Sequence, residues 1–144
     1  MPTEALLEIS TPVHRKVAKV LLAGSDLASR LTLKTVLLKA GYDVEGAASA
    51  AEAMSRLDAN EFQLVLADLR AESMNAGPAL LSFARQKAYR PATALITSDM
   101  TGASTWRDAD SVVSVTNEDI SNFLANVAEL IGNRAERRMR WREA

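Results

Sequence analysis

The chain contains no cysteine, which excludes disulfides, thiol nucleophiles and thiolate metal sites. It has a single histidine, His14. One imidazole cannot build a multi-histidine metal centre, and it argues against a Ser-His-Asp machine. No apolar run reaches the length needed to span a bilayer. The start carries Glu4 and Glu8 and lacks the basic stretch of a secretory signal. Net charge is −1, so the whole molecule exerts no strong pull on nucleic acid or acidic membranes. What remains is an ordinary globular balance: 144 residues, 48% hydrophobic and 24% charged, enough for one domain with a real core. The expectation is a soluble, cytoplasmic protein that does not bind membranes.

The stretch Phe62 to Asp68 organises the rest. Leu64, Val65, Leu66 and Ala67 form an apolar run without alternation, the pattern of a strand buried on both faces of a parallel sheet. The run ends in a carboxylate, Asp68. In open α/β sheets, ligands gather outside the carboxyl ends of the strands, so Asp68 stands where such a fold keeps reactive groups. The plainer alternative is a carboxylate that ends a strand.

Similar runs flank it. Val17 to Ala23 reads as a strand, followed by Gly24-Ser25-Asp26, where Ser25 or Asp26 can cap a helix. That helix is predicted to run to about Ala40, with Leu27, Leu31, Thr35 and Leu38 on one stripe, and to end at Gly41 in a left-handed cap. Tyr42 to Ala47 is a short strand. Ser49 and Glu52 have capping-box spacing for a helix over Ala50 to Ala59. Pro78 suits the first position of another helix, continuing to Lys87. Thr93 to Thr97 reads as a strand. Met100 to Arg107 is a poor helix, weakened by Gly102. Val112, Val113 and Val115 make a fifth strand. The last helix is expected to open at Asn117 or Asp119, with Gly132 interrupting it. Residues 1–16 read as an arm, 17–133 as the domain and 134–144 as an arginine-rich tail. The alternation predicts a flavodoxin-like (βα)5 fold, a doubly wound parallel sheet of strand order 2-1-3-4-5.

At this point the chain resembles the receiver domain of bacterial two-component response regulators, from about Lys19 to Ile131. Lys-Val-Leu-Leu-Ala at 19–23 is similar to the family's first strand. Arg30 and the stretch 38–44 are similar to its first helix and second strand, and Ala50-Ala51-Glu52-Ala53 with Leu57 to its second helix. Phe62 to Leu69 resembles the third strand with its phosphoacceptor. Pro91 to Thr97 resembles the fourth strand with its switch hydroxyl. The resemblance implies that Asp68 is the phosphoacceptor, vestigial or active, and Thr97 the switch hydroxyl.

The resemblance also exposes departures. The family's acidic pair falls on Gly24 and Ser25, and its lysine falls on Val115. The aromatic switch position falls on Val112. Asp26 and Arg70 are placed at the pocket rim, although Asp26 also fits a plain helix cap and Arg70 a solvated side chain. A hard dication needs several oxygen ligands, and phosphoryl transfer rests on positioning and charge stabilisation. Mg²⁺ binding is therefore expected to be weak or absent, with no other cofactor and no enzymatic activity.

The leading expectation is a pseudo-receiver that signals by contact with a protein, either a histidine kinase or a downstream component. The face around the helix after the fourth strand, the fifth strand and the last helix is the family's usual output surface, and a homodimer through the last helix fits the same picture. The rival is a conventional phosphorelay receiver phosphorylated on Asp68. A flavodoxin-like enzyme is disfavoured by the lack of a glycine-rich phosphate loop after the first strand. Nucleic-acid binding through Arg134, Arg137, Arg138, Arg140, Arg142 and Trp141 is disfavoured against a simple extension of the last helix.

Overall fold

A computed structural model describes residues 17–68, 73, 75–97, 111–114 and 120–143. Strand β1 (Lys19–Gly24) leads into helix α1 (Leu27–Lys39), β2 (Asp43–Ala47), α2 (Ala50–Ala59), β3 (Leu64–Asp68), α3 (Ala76–Arg85), β4 (Ala92–Thr97), β5 (Ser111–Ser114) and α4 (Ile120–Glu143). The five strands form one parallel sheet in the order β2-β1-β3-β4-β5, as predicted.

The continuous apolar runs of β1 and β3 are explained by two cores. Leu21, Ala23, Val65 and Ala67 point to one face and pack against Leu57 of α2 and Leu80 and Ala84 of α3. Val20, Leu22, Leu64 and Leu66 point to the other and meet Leu33 and Leu37 of α1 and Phe123 and Val127 of α4. Successive strand residues alternate faces, so covering both faces requires apolar residues at every position. Strand order reverses between β1 and β3, which places a topological switch point beside Asp68.

The helix ends follow local chemistry. The α1 terminus closes with Gly41 N–H donating to the Leu38 carbonyl and Tyr42 N–H to the Leu37 carbonyl, a Schellman arrangement. Gly41 has φ +103°, a conformation that favours glycine. At the start of α2, the Glu52 amide donates to Ser49 Oγ and the Glu52 carboxylate accepts from the Ala48 amide. The first bond is the cap that the Ser49–Glu52 spacing predicts. In the second, the carboxylate reaches the amide of the residue before the cap rather than that of Ser49, which a full capping box would use.

Four expectations are corrected. The α1 stripe of Leu27, Leu31, Thr35 and Leu38 faces outward, and Leu33 and Leu37 are the buried residues. Leucines are spread around this helix, so periodicity alone did not select the inward face. Helix α3 starts at Ala76, two residues before Pro78, and ends at Arg85. Proline fits there because the first-turn amides lack intrahelical acceptors anyway. Gly77 packs closely on β4: a Cβ there would lie 3.1 Å from Leu95 Cδ2, so a larger residue would require Leu95 to shift by a few tenths of an ångström. Finally, α4 runs through Gly132 to Glu143, so the backbone shows no break between domain and tail. Arg134 is buried and donates to the carbonyls of Tyr89 and Arg90, and Arg138 also donates to Tyr89. These tertiary bonds offset the helix penalty of Gly132, about 1 kcal/mol. The expected arm over 1–16 and helix over 100–107 lie outside the described residues.

Candidate functional site

The carboxyl ends of β1, β3 and β4 make a common rim. Gly24 pairs in register with Asp68, and the Ser25 amide donates to the Asp68 carbonyl at 3.2 Å. Leu95 of β4 is level with Ala67, which puts Thr97 just beyond Asp68 along the neighbouring strand. Thr97 pairs with Ser114, the last residue of β5. Val112, at the aromatic switch position, pairs with Leu95. Parallel pairing brings these positions together, because every strand ends on the same side. Val115 and Arg70 lie outside the described residues.

Asp26 stands at the rim, but its carboxylate caps α1. It accepts from the Ser29 amide at 2.9 Å. That bond, a second from the Ser29 hydroxyl and the charge of Arg30 hold its pKa below the usual carboxylate range. Ser25 is half-buried, and its Oγ has no hydrogen-bond partner among the described residues. Asp68 is also half-buried.

Arg30 is a rim residue whose role sequence reasoning left undrawn. Its Nη1 donates to the Gly24 carbonyl at 2.6 Å. Its stem lies over Gly24, which ends β1, and over Gly46, the last residue but one of β2: a Cβ on Gly24 would be 3.6 Å from Arg30 Cβ, and one on Gly46 would be 3.6 Å from Arg30 Cδ. Helical side chains tilt toward the helix N-terminus, so a cation in the first turn of α1 reaches back to the strand end. The readable signal was an arginine four residues after the cap, with a glycine ending one strand and another one residue before the end of its neighbour.

These residues do not fit a Mg²⁺ cage. A small hard dication wants near-octahedral oxygen ligation with carboxylates among its ligands. Gly24 and Ser25 supply no carboxylate, Asp26 is engaged by amide and hydroxyl donors, and Arg30 puts positive charge at the Gly24 carbonyl. No cluster of three His, Cys, Asp or Glu side chains suited to a metal occurs among the described residues. The described rim combines one strand-end carboxylate, an orphaned hydroxyl and a guanidinium. Such a set can accept and donate hydrogen bonds and carries mixed charge.

No protein-family model and no curated protein matches the chain. Solved structures do. The chemotaxis response regulator CheY4 of Vibrio cholerae superposes with a TM-score of 0.69 at 20% identity, covering 80% of this chain and 99% of that one. The signal receiver domain of an HD domain-containing protein from Pseudomonas fluorescens gives 0.75 at 20% identity, over 91% and 98%. The response regulator TrrA from Thermotoga maritima, solved in complex with Mg²⁺ and BeF, gives 0.70 at 21% identity, over 79% and 99%. These neighbours are receiver domains, and the chain has their fold. No helix among the described residues is long and apolar enough to cross a membrane.

Proposed function

We propose that this chain is a receiver-like signalling module whose Mg²⁺-dependent aspartyl phosphorylation is impaired and which acts through protein contact. The observation that carries the reading is the pairing of Gly24 with Asp68, followed by Ser25. Two positions that carry carboxylates in the resembling family carry none here. Phosphoryl transfer depends on charge stabilisation around the attacking carboxylate, and a rim whose first-strand positions Gly24 and Ser25 carry no carboxylate, with a guanidinium nearby, supplies little of it for a dication. The partner is a histidine kinase or a downstream signalling protein, and its binding does not depend on a phosphate.

The test is Mg²⁺-dependent labelling of the intact chain by acetyl phosphate, followed by mass spectrometry. The expected result is little or no label on Asp68. Rapid labelling that vanishes in Asp68→Asn would establish the conventional phosphorelay reading instead. A gain-of-function arm uses Gly24→Asp with Ser25→Asp. The backbone at Gly24 needs no glycine conformation, and a Cβ there makes only ordinary contacts. The doubly substituted chain is expected to bind Mg²⁺ at least tenfold more tightly than the wild type, read by titration calorimetry.

A further inference from the structure

A cleft of about 650 Å³ opens at the amino end of the sheet, away from Asp68. One side is the start of β1, Val17 to Lys19, with Asp43, Glu61 and Gln63 beside it. The other is the end of α4, from Ile131 to Met139. Val17 is 49% exposed and Met139 59%, so two of the five exposed large apolar side chains among the described residues line this one cleft.

Charge is divided across it. Asp43 and Glu61 stand on the strand side and form no ion pair among the described residues, whereas Lys19 is paired with Glu45. Arg134 and Arg138 stand on the helix side. Both donate to backbone carbonyls, which carry no net charge. Burial, then the charges of Arg138 and Arg137, lower the pKa of Arg134, and Glu61 offsets part of this. Positive charge is therefore crowded at this end of α4.

An occupant of the cleft needs apolar side chains, acids for the helix side and cations for the strand side. The sixteen residues before Val17 carry that pattern in order. Leu6, Leu7 and Ile9 are interleaved with Glu4 and Glu8, and Arg15 and Lys16 adjoin the strand.

We infer that residues 1–16 lie over this cleft as an intramolecular cover that joins the start of β1 to the end of α4. Leu6, Leu7 and Ile9 meet Val17, Ile131 and Met139. Glu8 answers Arg138, while Arg15 and Lys16 answer Asp43 and Glu61. Reach is sufficient. The helix spans about 12 Å between Ile131 and Met139 at 1.5 Å per residue, and the ten residues from Leu7 to Val17 can span about 33 Å. A short tether holds the segment at roughly millimolar local concentration, so a separate chain must bind far more tightly to displace it. The inference stands whether or not Asp68 accepts phosphate.

The experiment uses the full chain, whose lack of cysteine lets thiol pairs be introduced cleanly. Leu7→Cys with Met139→Cys is compared with Leu7→Cys with Leu27→Cys. Leu27 is as exposed as Met139, 58% against 59%, and begins α1 at the opposite end of the sheet. It is also nearer Leu7 in sequence, so a segment with no preferred place would meet it first. Under mild oxidation the 7–139 pair is expected to form an intramolecular disulfide at least tenfold faster, read by mass spectrometry. A second arm labels Met139→Cys with a maleimide. Leu6→Ser, Leu7→Ser and Ile9→Ser together should raise that labelling rate at least fivefold and leave labelling of Leu27→Cys unchanged. Equal disulfide rates in the two pairs, or labelling at 139 indifferent to the triple substitution, overturns the inference. So do disulfides that form between chains at a rate rising with concentration, which would assign the cleft to a second copy.

Discussion

The two ends of the sheet are built on opposite principles. At the amino end, polar groups are matched in a dense set. The Lys19 amide donates to Gln63 Oε1, the Gln63 amide donates back to the Lys19 carbonyl, and the Asp43 amide donates to Ala18. Tyr89 donates its hydroxyl to the Leu57 carbonyl, while Arg134 and Arg138 converge on the carbonyls that precede β4. At the carboxyl end, Ser25 Oγ is enclosed without a partner among the described residues, and Gly24 contributes no side chain beside Asp68. Buried polar groups are nearly always bonded, and an exception calls for a physical reason. The amino end is tied by these bonds, whereas the carboxyl end leaves the Ser25 hydroxyl without a partner among the described residues, at the rim where the resembling family has its chemistry.

The largest test of that contrast is Arg134→Ala. It strips the Tyr89 and Arg90 carbonyls of a buried charged donor, and urea denaturation should show a loss of about 2–3 kcal/mol. Arg138→Ala should cost less, because Arg134 still serves Tyr89. A loss as small as that of an average surface substitution would break the comparison.

Next comes the carboxyl end. Gly24→Asp with Ser25→Asp gathers carboxylates at the rim, and like charges there repel. Without divalent ions the pair should cost about 1–2 kcal/mol, within the usual range for substitutions. Millimolar Mg²⁺ should restore stability by binding the folded state. Ser49→Ala should cost about 1 kcal/mol through loss of the α2 cap, and thermal melts would read it.

The smallest effects separate the ends by pH. Asp26 and Glu52, both at the carboxyl side, have lowered pKa values. For each the first cause is a backbone amide bond, from Ser29 and from Ala48 respectively. A depressed carboxylate stabilises the fold above its unfolded value of roughly 4, and the contribution is lost as pH falls through the folded value. Asp26→Asn should therefore flatten the acid limb of stability. On the amino side, burial pushes the Tyr89 phenol up to about 12, with Glu61 and Asp58 adding to it. Its contribution is complete below an unfolded value of roughly 10 and fades as pH rises through the folded one. Tyr89→Phe should flatten only the alkaline limb.

Much of this was legible in the chain. Uninterrupted apolar runs at β1 and β3 announced strands covered on both faces, and Ser49 with Glu52 announced a cap. Gly41 announced a helix end, and the spacing of these signals announced strand order. Strand spacing also placed Gly24, Ser25, Asp68 and Thr97 at one end of the sheet, and the strand register brings these positions to a common rim. The α1 face was misread because the Leu27-Leu31-Leu38 and Leu33-Leu37 lines are equally helical. The end of α4 was misread because Gly132 is a local signal, and a buried Arg134 more than forty residues from its acceptors overrides it.

Sequence alone determined the elements, their caps and the order of the sheet, since these follow from periodicity, backbone preference and crossover rules acting within a few residues. Only tertiary structure decided which side of α1 is buried, that Arg30 crosses Gly24 and Gly46 on two neighbouring strands, and that the arginines of the final helix anchor the amino end. Each of these depends on distant surfaces meeting, where burial and the satisfaction of polar groups outweigh local preference.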